Sequence, residues 1–421
     1  MEIGSPRINK KRDRAARRLS ATIIAFFITG FGLIALKPAE TYDYRNIVMI
    51  FAIPLVLYFN MNLLPKLFPV DRLLMCLVSF LCGLGVLILY STNIERGIQQ
   101  AVYYGVGTIF MLFCLMFVRF IPKWDIVSWL IYPISIALLL LPLLFGREIN
   151  GAKNWIFFSG ISIQPSELVK ITLIIVFAYT MSRYQKLSWM LFLGVCMLLL
   201  MRQKDLGALL IYFSTALVMY YASSGSLRII AMFIVAGIGA AIYGYKKFDH
   251  VQKRVAIWIN PWADYENSGY QLVQSLVAIA SGGLLGMGLG LGNPSVIPIY
   301  YTDFIFSVIC EQFGILFGGL VLAIYAILVL RGSFIARSSS TRFHSLLALG
   351  CTAMLCIQTF VIIGGVIKLI PLTGITMPFV SYGGSSLLSS MGLVGVLQGV
   401  ACYNGDTLHG DIYMSYMDNY V

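Results

Sequence analysis

Apolar runs long enough to cross a membrane follow one another from residue 20 to residue 402, broken mostly by short polar links. A spanning helix needs roughly 20 consecutive apolar residues, which is about the length of most of these runs. They fall near 20–36, 46–64, 73–91, 100–118, 125–146, 166–182, 188–201, 206–222, 228–246, 305–331, 345–367 and 382–402. The expectation is an all-α, polytopic transmembrane bundle of about twelve spans. The run 188–201 is short, which predicts a tilted or broken helix. Composition agrees, since 59% hydrophobic and 11% charged residues is the balance of a membrane protein.

The net charge of +12 is not a nucleic-acid signal. Much of the excess sits in Arg7, Lys10, Lys11, Arg12, Arg14, Arg17 and Arg18, ahead of the first run, and such an arm stays cytoplasmic. A cleaved signal peptide is the competing reading, but Leu36-Lys37-Pro38-Ala39 is a poor cleavage site and more spans follow. Counting from a cytoplasmic N-terminus puts 147–165, 202–205, 247–304 and 368–381 outside and the C-terminus inside. Arg72, Arg119, Lys123, Arg183, Lys186, Arg228, Arg331, Arg337 and Arg342 then all face the cytoplasm. The eight cysteines are scattered, with no CxxC pair, so neither a disulfide framework nor a zinc site is suggested. His250, His344 and His409 are far apart in sequence, and no internal repeat of the transporter kind is seen.

The one long polar interruption, about 247–306, holds the features most suggestive of chemistry. Gln271, Gln274 and Ser275 recur at helical spacing opposite Leu272, Val273, Leu276 and Val277, which describes an interfacial helix over 268–280. A glycine-dense turn, 282–292, follows. Asp303 then stands alone between Thr302 and the apolar run, and a carboxylate at the mouth of a span is a functional candidate. Three further constellations lie on the same outward side. Glu167 and Lys170 are i and i+3 on one face behind Pro165; the bland alternative is helix-dipole complementation with an outward-reaching lysine. Asp205 serves chemistry or simply a turn. Ser381, Tyr382, Gly383, Gly384 and Ser385 open a helix with free N–H groups suited to phosphate, or pack closely against a neighbour.

Together INGAKNW, QPSELVK, QKDLG, NPWADYENSGYQLVQSL, SGGLLGMGLG, TDFIF and IPLTGITMPFVSYGGSS resemble the SEDS proteins, the FtsW, RodA and SpoVE group that serves bacterial shape, elongation, division and sporulation. The likeness covers roughly residues 71–402. It implies a ten-span core there, with 1–19 a basic cytoplasmic arm, 20–64 two additional N-terminal helices and 403–421 a cytoplasmic tail. It also implies a peptidoglycan glycosyltransferase of the bacterial cytoplasmic (inner) membrane, active on the extracytoplasmic face, that polymerises lipid II. A class B penicillin-binding protein and other elongasome or divisome membrane proteins are the implied partners. The family's catalytic aspartate carries over to Asp303, its membrane-cavity residues to Glu167 and Lys170, and its PDLG aspartate to Asp205. Lys204 stands where that motif has proline, Ile299 where a glutamate is frequent, Asn154 where arginine or serine is frequent, and Gln312 where a second glutamate is common.

With those substrates the acceptor 4-hydroxyl attacks the anomeric carbon of a lipid-linked donor and expels pyrophosphate. Asp303 is the natural base, and one carboxylate suffices for a single displacement with inversion. Lys253 or Arg254, the helix N-terminus at Tyr382, or a divalent cation such as Mg2+ would stabilise the leaving group. The alternatives are a lipid II flippase using Glu167, Lys170 and Asp205 as a path, or a non-catalytic scaffold for a penicillin-binding protein.

Overall fold

Several helices begin where the sequence supplies a cap. The computed structural model describes residues 6–418 apart from 37–42, 122–123, 150, 159–160, 185 and 266–268. Asp43, Asp71, Asn93, Asp205 and Thr341 each accept a hydrogen bond from a first-turn backbone N–H. Helices α1 (Pro6–Ala35) and α2 (Tyr44–Tyr58) come first, and α2 passes through a π-helical turn, Phe59–Leu63, into the short α3 (Leu64–Leu67). Then follow α4 (Arg72–Thr92), α5 (Ile94–Phe120) and α6 (Trp124–Phe145).

Segment 147–163, expected as a loop, forms a small antiparallel meander, β1 (Arg147–Ile149), β2 (Ala152–Phe158) and β3 (Ile161–Ile163). The sequence pair Asn150-Gly151 is a hairpin signal, and Gly151 has φ +79°. The remaining helices are α7 (Pro165–Ser182), α8 (Lys186–Gln203), α9 (Leu206–Ser224), α10 (Leu227–Lys247), α11 (Asp249–Ile259), α12 (Tyr270–Gly282), α13 (Ile305–Arg337), α14 (Arg342–Val366) and α15 (Gly384–Asp418).

Among the described residues, 11 helices are long and apolar enough to cross a membrane. The apolar part of α8, Ser188–Gln203, is shorter, in keeping with the short run in its sequence. Helices α4, α7 and α14, with the Gly384–Gly405 part of α15, are mostly buried and form the centre, whereas α10 has no buried residue. Close approach of α15 to α5 depends on small residues, since a Cβ at Gly395 would lie 2.3 Å from the Met111 carbonyl oxygen. Helix α1 docks its Phe27 ring into the space over Gly83 of α4, and Phe26 stacks on Phe317 of α13.

Two ties across α4 and α13 mark the edges of the membrane slab. Asp71 pairs with Arg331 at 2.6 Å, and Ser91 donates to Gln312 at 3.2 Å. Residue 71, which caps α4, and residue 91, in its last turn, are separated by about 30 Å at 1.5 Å per residue, a hydrocarbon thickness. Asp303 precedes Gln312 in the chain, and Arg96, in the first turn of α5, stacks 3.8 Å over the neighbouring Tyr301 ring. The TDFIF turn therefore sits at one membrane edge.

Among its described residues the long polar interruption contains two α-helices rather than one, because α11 precedes α12. Ser268, at the head of the anticipated interfacial helix, lies outside the described residues, as do residues 419–421 of the anticipated tail. The glycine-dense segment has a definite task. Helix α13 is broken at Gly314 (φ 84°, ψ 166°), and the freed carbonyls of Glu311 and Gln312 accept from Met287 N and Gly288 N, each at 2.9 Å. A Cβ at Gly286 (φ +85°) would come 2.3 Å from the Gln312 carbonyl oxygen, so the loop can close on the broken helix only through glycine.

Candidate active site

The TDFIF turn is held from two sides. Ile299 adopts φ 56°, a strained conformation for a β-branched residue, and its carbonyl accepts from both Thr302 N and Thr302 Oγ1 at 3.2 Å. From the other side the Ser381 hydroxyl donates to the Thr302 carbonyl at 2.5 Å and accepts from Met377 N at 2.9 Å. Tyr382 N donates to the Tyr301 carbonyl at 2.8 Å, and Gln100 Nε2 to the Ser381 carbonyl at 3.0 Å. Asp303 is thus placed by contacts to the two residues that precede it, Tyr301 and Thr302.

Helix α11 brings Arg254 to the same place. Trp258 Nε1 donates to the Lys368 carbonyl at 3.1 Å, fixing α11 against the 367–376 segment, and Arg254 Nη1 donates to the Leu372 carbonyl at 3.2 Å. Gly374 lies between the two charges with φ +72°. A Cβ there would be 3.3 Å from Arg254 Nη2 and 3.7 Å from Asp303 Oδ2. Guanidinium and carboxylate face each other across a glycine without forming an ion pair. Arg254, Trp258, Gln271, Ile299, Asp303 and Gly374 line a cavity of about 250 Å³.

Burial in this cavity pushes the Asp303 carboxyl up to about 6, while the nearby Thr302 hydroxyl and the charge of Arg254 pull it back. A carboxylate with that affinity is ionised at neutral pH and is a better proton acceptor than an ordinary aspartate. The donor set for a resident cation is poor. Among the described residues, Asp303 is the only carboxylate lining the cavity, its charged neighbour is Arg254, and no group of three His, Cys, Asp or Glu able to hold a metal occurs.

The other anticipated residues lie in different surroundings. Of the α12 stripe, only Gln271 lines the cavity; Gln274 Nε2 donates to Tyr265 at 2.9 Å, and Ser275 meets Ser307 at 2.6 Å. Lys253 is exposed and does not line the cavity. Lys170 Nζ donates to both Glu167 oxygens at 2.8 Å and to Gln358 Oε1 at 2.9 Å, and Ser389 Oγ donates to Glu167 Oε2 at 2.6 Å. Lys170 is 1% exposed. Asp205 caps α9, and its Oδ2 accepts from Asn154 (3.2 Å), Gln164 (3.0 Å) and Ser166 (3.2 Å). These three ionisable groups form two adjoining closed networks, with no direct bond between Asp205 and the Glu167–Lys170 pair.

At the head of α15 the serines point into the protein. Ser385 Oγ accepts from Gln164 N at 3.2 Å, and Ser386 Oγ meets Thr376 Oγ1 at 2.5 Å. A Cβ at Gly384 would lie 3.1 Å from the Tyr103 ring, so close packing is part of its role. Sequence reasoning missed Gln358, Ser389, Trp258 and Gly374. Gln358 was findable as a polar residue in the middle of an apolar run.

A family model described as Cell cycle protein, grouping FtsW, RodA and SpoVE, matches residues 71–405. Peptidoglycan glycosyltransferase RodA of Mycobacterium tuberculosis is 33% identical over 365 residues, covering 78% of this chain and 77% of that protein. Stage V sporulation protein E of Bacillus subtilis is 33% identical over 360 residues, covering 79% of this chain and 97% of its own. In a solved structure described as the coordination of polymerization and crosslinking by a peptidoglycan synthase complex, one chain superposes with TM-score 0.68 at 26% identity, covering 79% of this chain and 97% of that one. Thermus thermophilus RodA superposes with TM-score 0.58 at 25% identity, covering 80% and 98% respectively.

Proposed function

Because the chain belongs to the FtsW, RodA and SpoVE family of cell cycle proteins, we propose that it polymerises lipid II with Asp303 as its general base. It is a multi-pass membrane protein and a peptidoglycan glycosyltransferase. The observation that carries the residue assignment is the Asp303 carboxylate, raised to about 6, facing Arg254 across Gly374 at a membrane edge.

The acceptor hydroxyl gives its proton to Asp303 as its oxygen bonds to the donor's anomeric carbon. The bond from that carbon to the diphosphate oxygen breaks, and its electron pair leaves with the diphosphate. Arg254 meets the charge that develops there. One carboxylate suffices because no covalent glycosyl-enzyme forms, so the product linkage is inverted. The edge position lets both lipid tails remain in the bilayer while the sugars reach the cavity. The face concerned is the extracytoplasmic face of the bacterial cytoplasmic membrane, supported by the basic residues clustered at the opposite end of the bundle.

A crosslinking partner of the class B penicillin-binding type is supported by the related synthase complex, which couples polymerization to crosslinking. The test is incubation of the purified protein with labelled lipid II, with and without such a partner. Glycan strands that a muramidase digests are expected; unchanged lipid II under both conditions would remove the assignment.

A further inference from the structure

Two buried polar atoms on the segments that carry and contact Arg254 are left unpaired by the fold. His250 Nε2 and Thr373 Oγ1 are both shielded from solvent, and neither has a hydrogen-bond partner among the described residues. Leaving such groups unpaired costs roughly 1–3 kcal/mol each, so a pair of them beside one cation asks for an explanation. Their positions supply it. His250 is i−4 to Arg254 on α11, so the two side chains share a face one turn apart. Thr373 is bracketed by the two places where Arg254 touches the 367–376 segment, the Leu372 carbonyl at 3.2 Å and Gly374, whose built Cβ lies 3.3 Å from Nη2.

Arg254 Nη2 itself has no hydrogen-bond partner among the described residues, which leaves part of its donor fork free for a ligand. Lys204 adds positive charge from the α8–α9 turn, although its ammonium also lies 3.6 Å from Glu148. Two nearby carboxylates are not paired with Arg254. Asp205 is engaged by Asn154, Gln164, Ser166 and the Ala208 N–H, and Asp303 forms no ion pair with Arg254, although both approach the position a Cβ at Gly374 would take.

We propose that Arg254, His250 and Thr373 form the subsite for the donor's diphosphate, with His250 and Thr373 as its orienting hydrogen-bond donors. Burial, then the charges of Arg254 and Lys204, hold the His250 imidazole below its ordinary range against the opposing pull of Asp249. A neutral imidazole still donates one N–H, and a bound anion relieves the unfavourable field around it. The arrangement sets the leaving group on Arg254 and His250 and the proton acceptor on Asp303, with Gly374 between them. This rests on the reading of the chain as a transferase that uses a diphosphate-linked donor.

The test uses the full-length protein in detergent and inorganic pyrophosphate, measured by titration calorimetry, alongside lipid II polymerisation kinetics. His250→Ala and Thr373→Val should each weaken pyrophosphate binding about tenfold and raise KM for lipid II with little change in kcat. His250→Gln keeps a side-chain N–H and should restore most of the binding, which a packing role would not predict. Asp303→Asn should bind pyrophosphate at least as well as the parent while losing polymerisation. Parental pyrophosphate affinity in both the His250→Ala and Thr373→Val proteins overturns the subsite, as does failure of the folded parent to bind. Pyrophosphate binding that depends on His250 and Thr373 in a protein that never polymerises lipid II upholds the anion site and defeats the transferase reading instead.

Discussion

Two of the opposite-charge pairs near the same membrane edge, Glu167 with Lys170 and Asp303 with Arg254, are built in opposite ways. Glu167 and Lys170 are in contact at 2.8 Å, closed in by Gln358 and Ser389, with side chains only 10% and 2% exposed. Asp303 and Arg254 are kept apart across Gly374, beside a cavity of about 250 Å³. A pair in contact satisfies itself and has nothing left for a ligand. A pair held apart leaves both charges available, one to accept a proton and one to meet an anion. The first arrangement ties α7 to α14 and α15; the second suits chemistry. The difference also bears on transport, since a sealed ion pair offers no path through the bundle.

The largest effect expected from this contrast is at Asp303. Asp303→Asn keeps size and hydrogen bonding but removes the basic oxygen, and polymerisation should fall by about 10²- to 10⁴-fold with insertion and folding intact. Parental turnover in the Asn protein would move the chemistry elsewhere. At the closed pair the expected effect is on stability. Lys170→Met strands a buried carboxylate and should cost on the order of 3–5 kcal/mol, whereas Glu167→Gln with Lys170→Met should cost less than the lysine change alone. Strictly additive effects in a double-mutant cycle, read from thermal midpoints in detergent, would mean that the contact carries no coupling.

A smaller effect concerns pH. Since the Asp303 carboxyl titrates near about 6, the ionised base is lost as pH falls. Polymerisation should therefore be level above about pH 7 and drop roughly tenfold by pH 5. A profile that is flat through this range separates the rate from the titration of Asp303.

These contrasts were only partly legible in the sequence. The run of spans, the short α8 and the exceptional position of Asp303 all follow from where charge interrupts apolar residues. Glu167 and Lys170 were readable for the same reason. Partners were not, because Gln358 and Ser389 lie on α14 and α15, about two hundred residues away, and only packing brings them together. Nor could spacing choose between Lys253 and Arg254. Adjacent helical residues point about 100° apart, and the phase of α11 is set by Trp258 docking on Lys368, a tertiary contact. Along α12 the stripe Gln271, Gln274 and Ser275 was visible, yet its members meet the cavity, Tyr265 and Ser307 respectively. Gly374 was hidden because its role is to be small between two groups that come from distant segments.

The smallest effect expected is also the one that separates function from fold most cleanly. Burial raises the Asp303 carboxyl from an ordinary value of 3.8 to about 6, so the folded protein favours the protonated acid. Relative to unfolded chain, the folded state therefore loses stability as pH rises from about 4 through about 6, and nothing further is lost above that. Asparagine carries no charge to bury, so Asp303→Asn should be no more stable than the parent at pH 4 and more stable at pH 7.5, by roughly 1–3 kcal/mol once water in the cavity is allowed for. The measurement is the thermal midpoint of both proteins across that range. A variant that is inactive yet more stable at pH 7.5 is the signature of a carboxylate kept for chemistry at a cost to the fold. A variant destabilised at every pH would make Asp303 a structural anchor, as Glu167 is, and would erase the contrast between the two pairs.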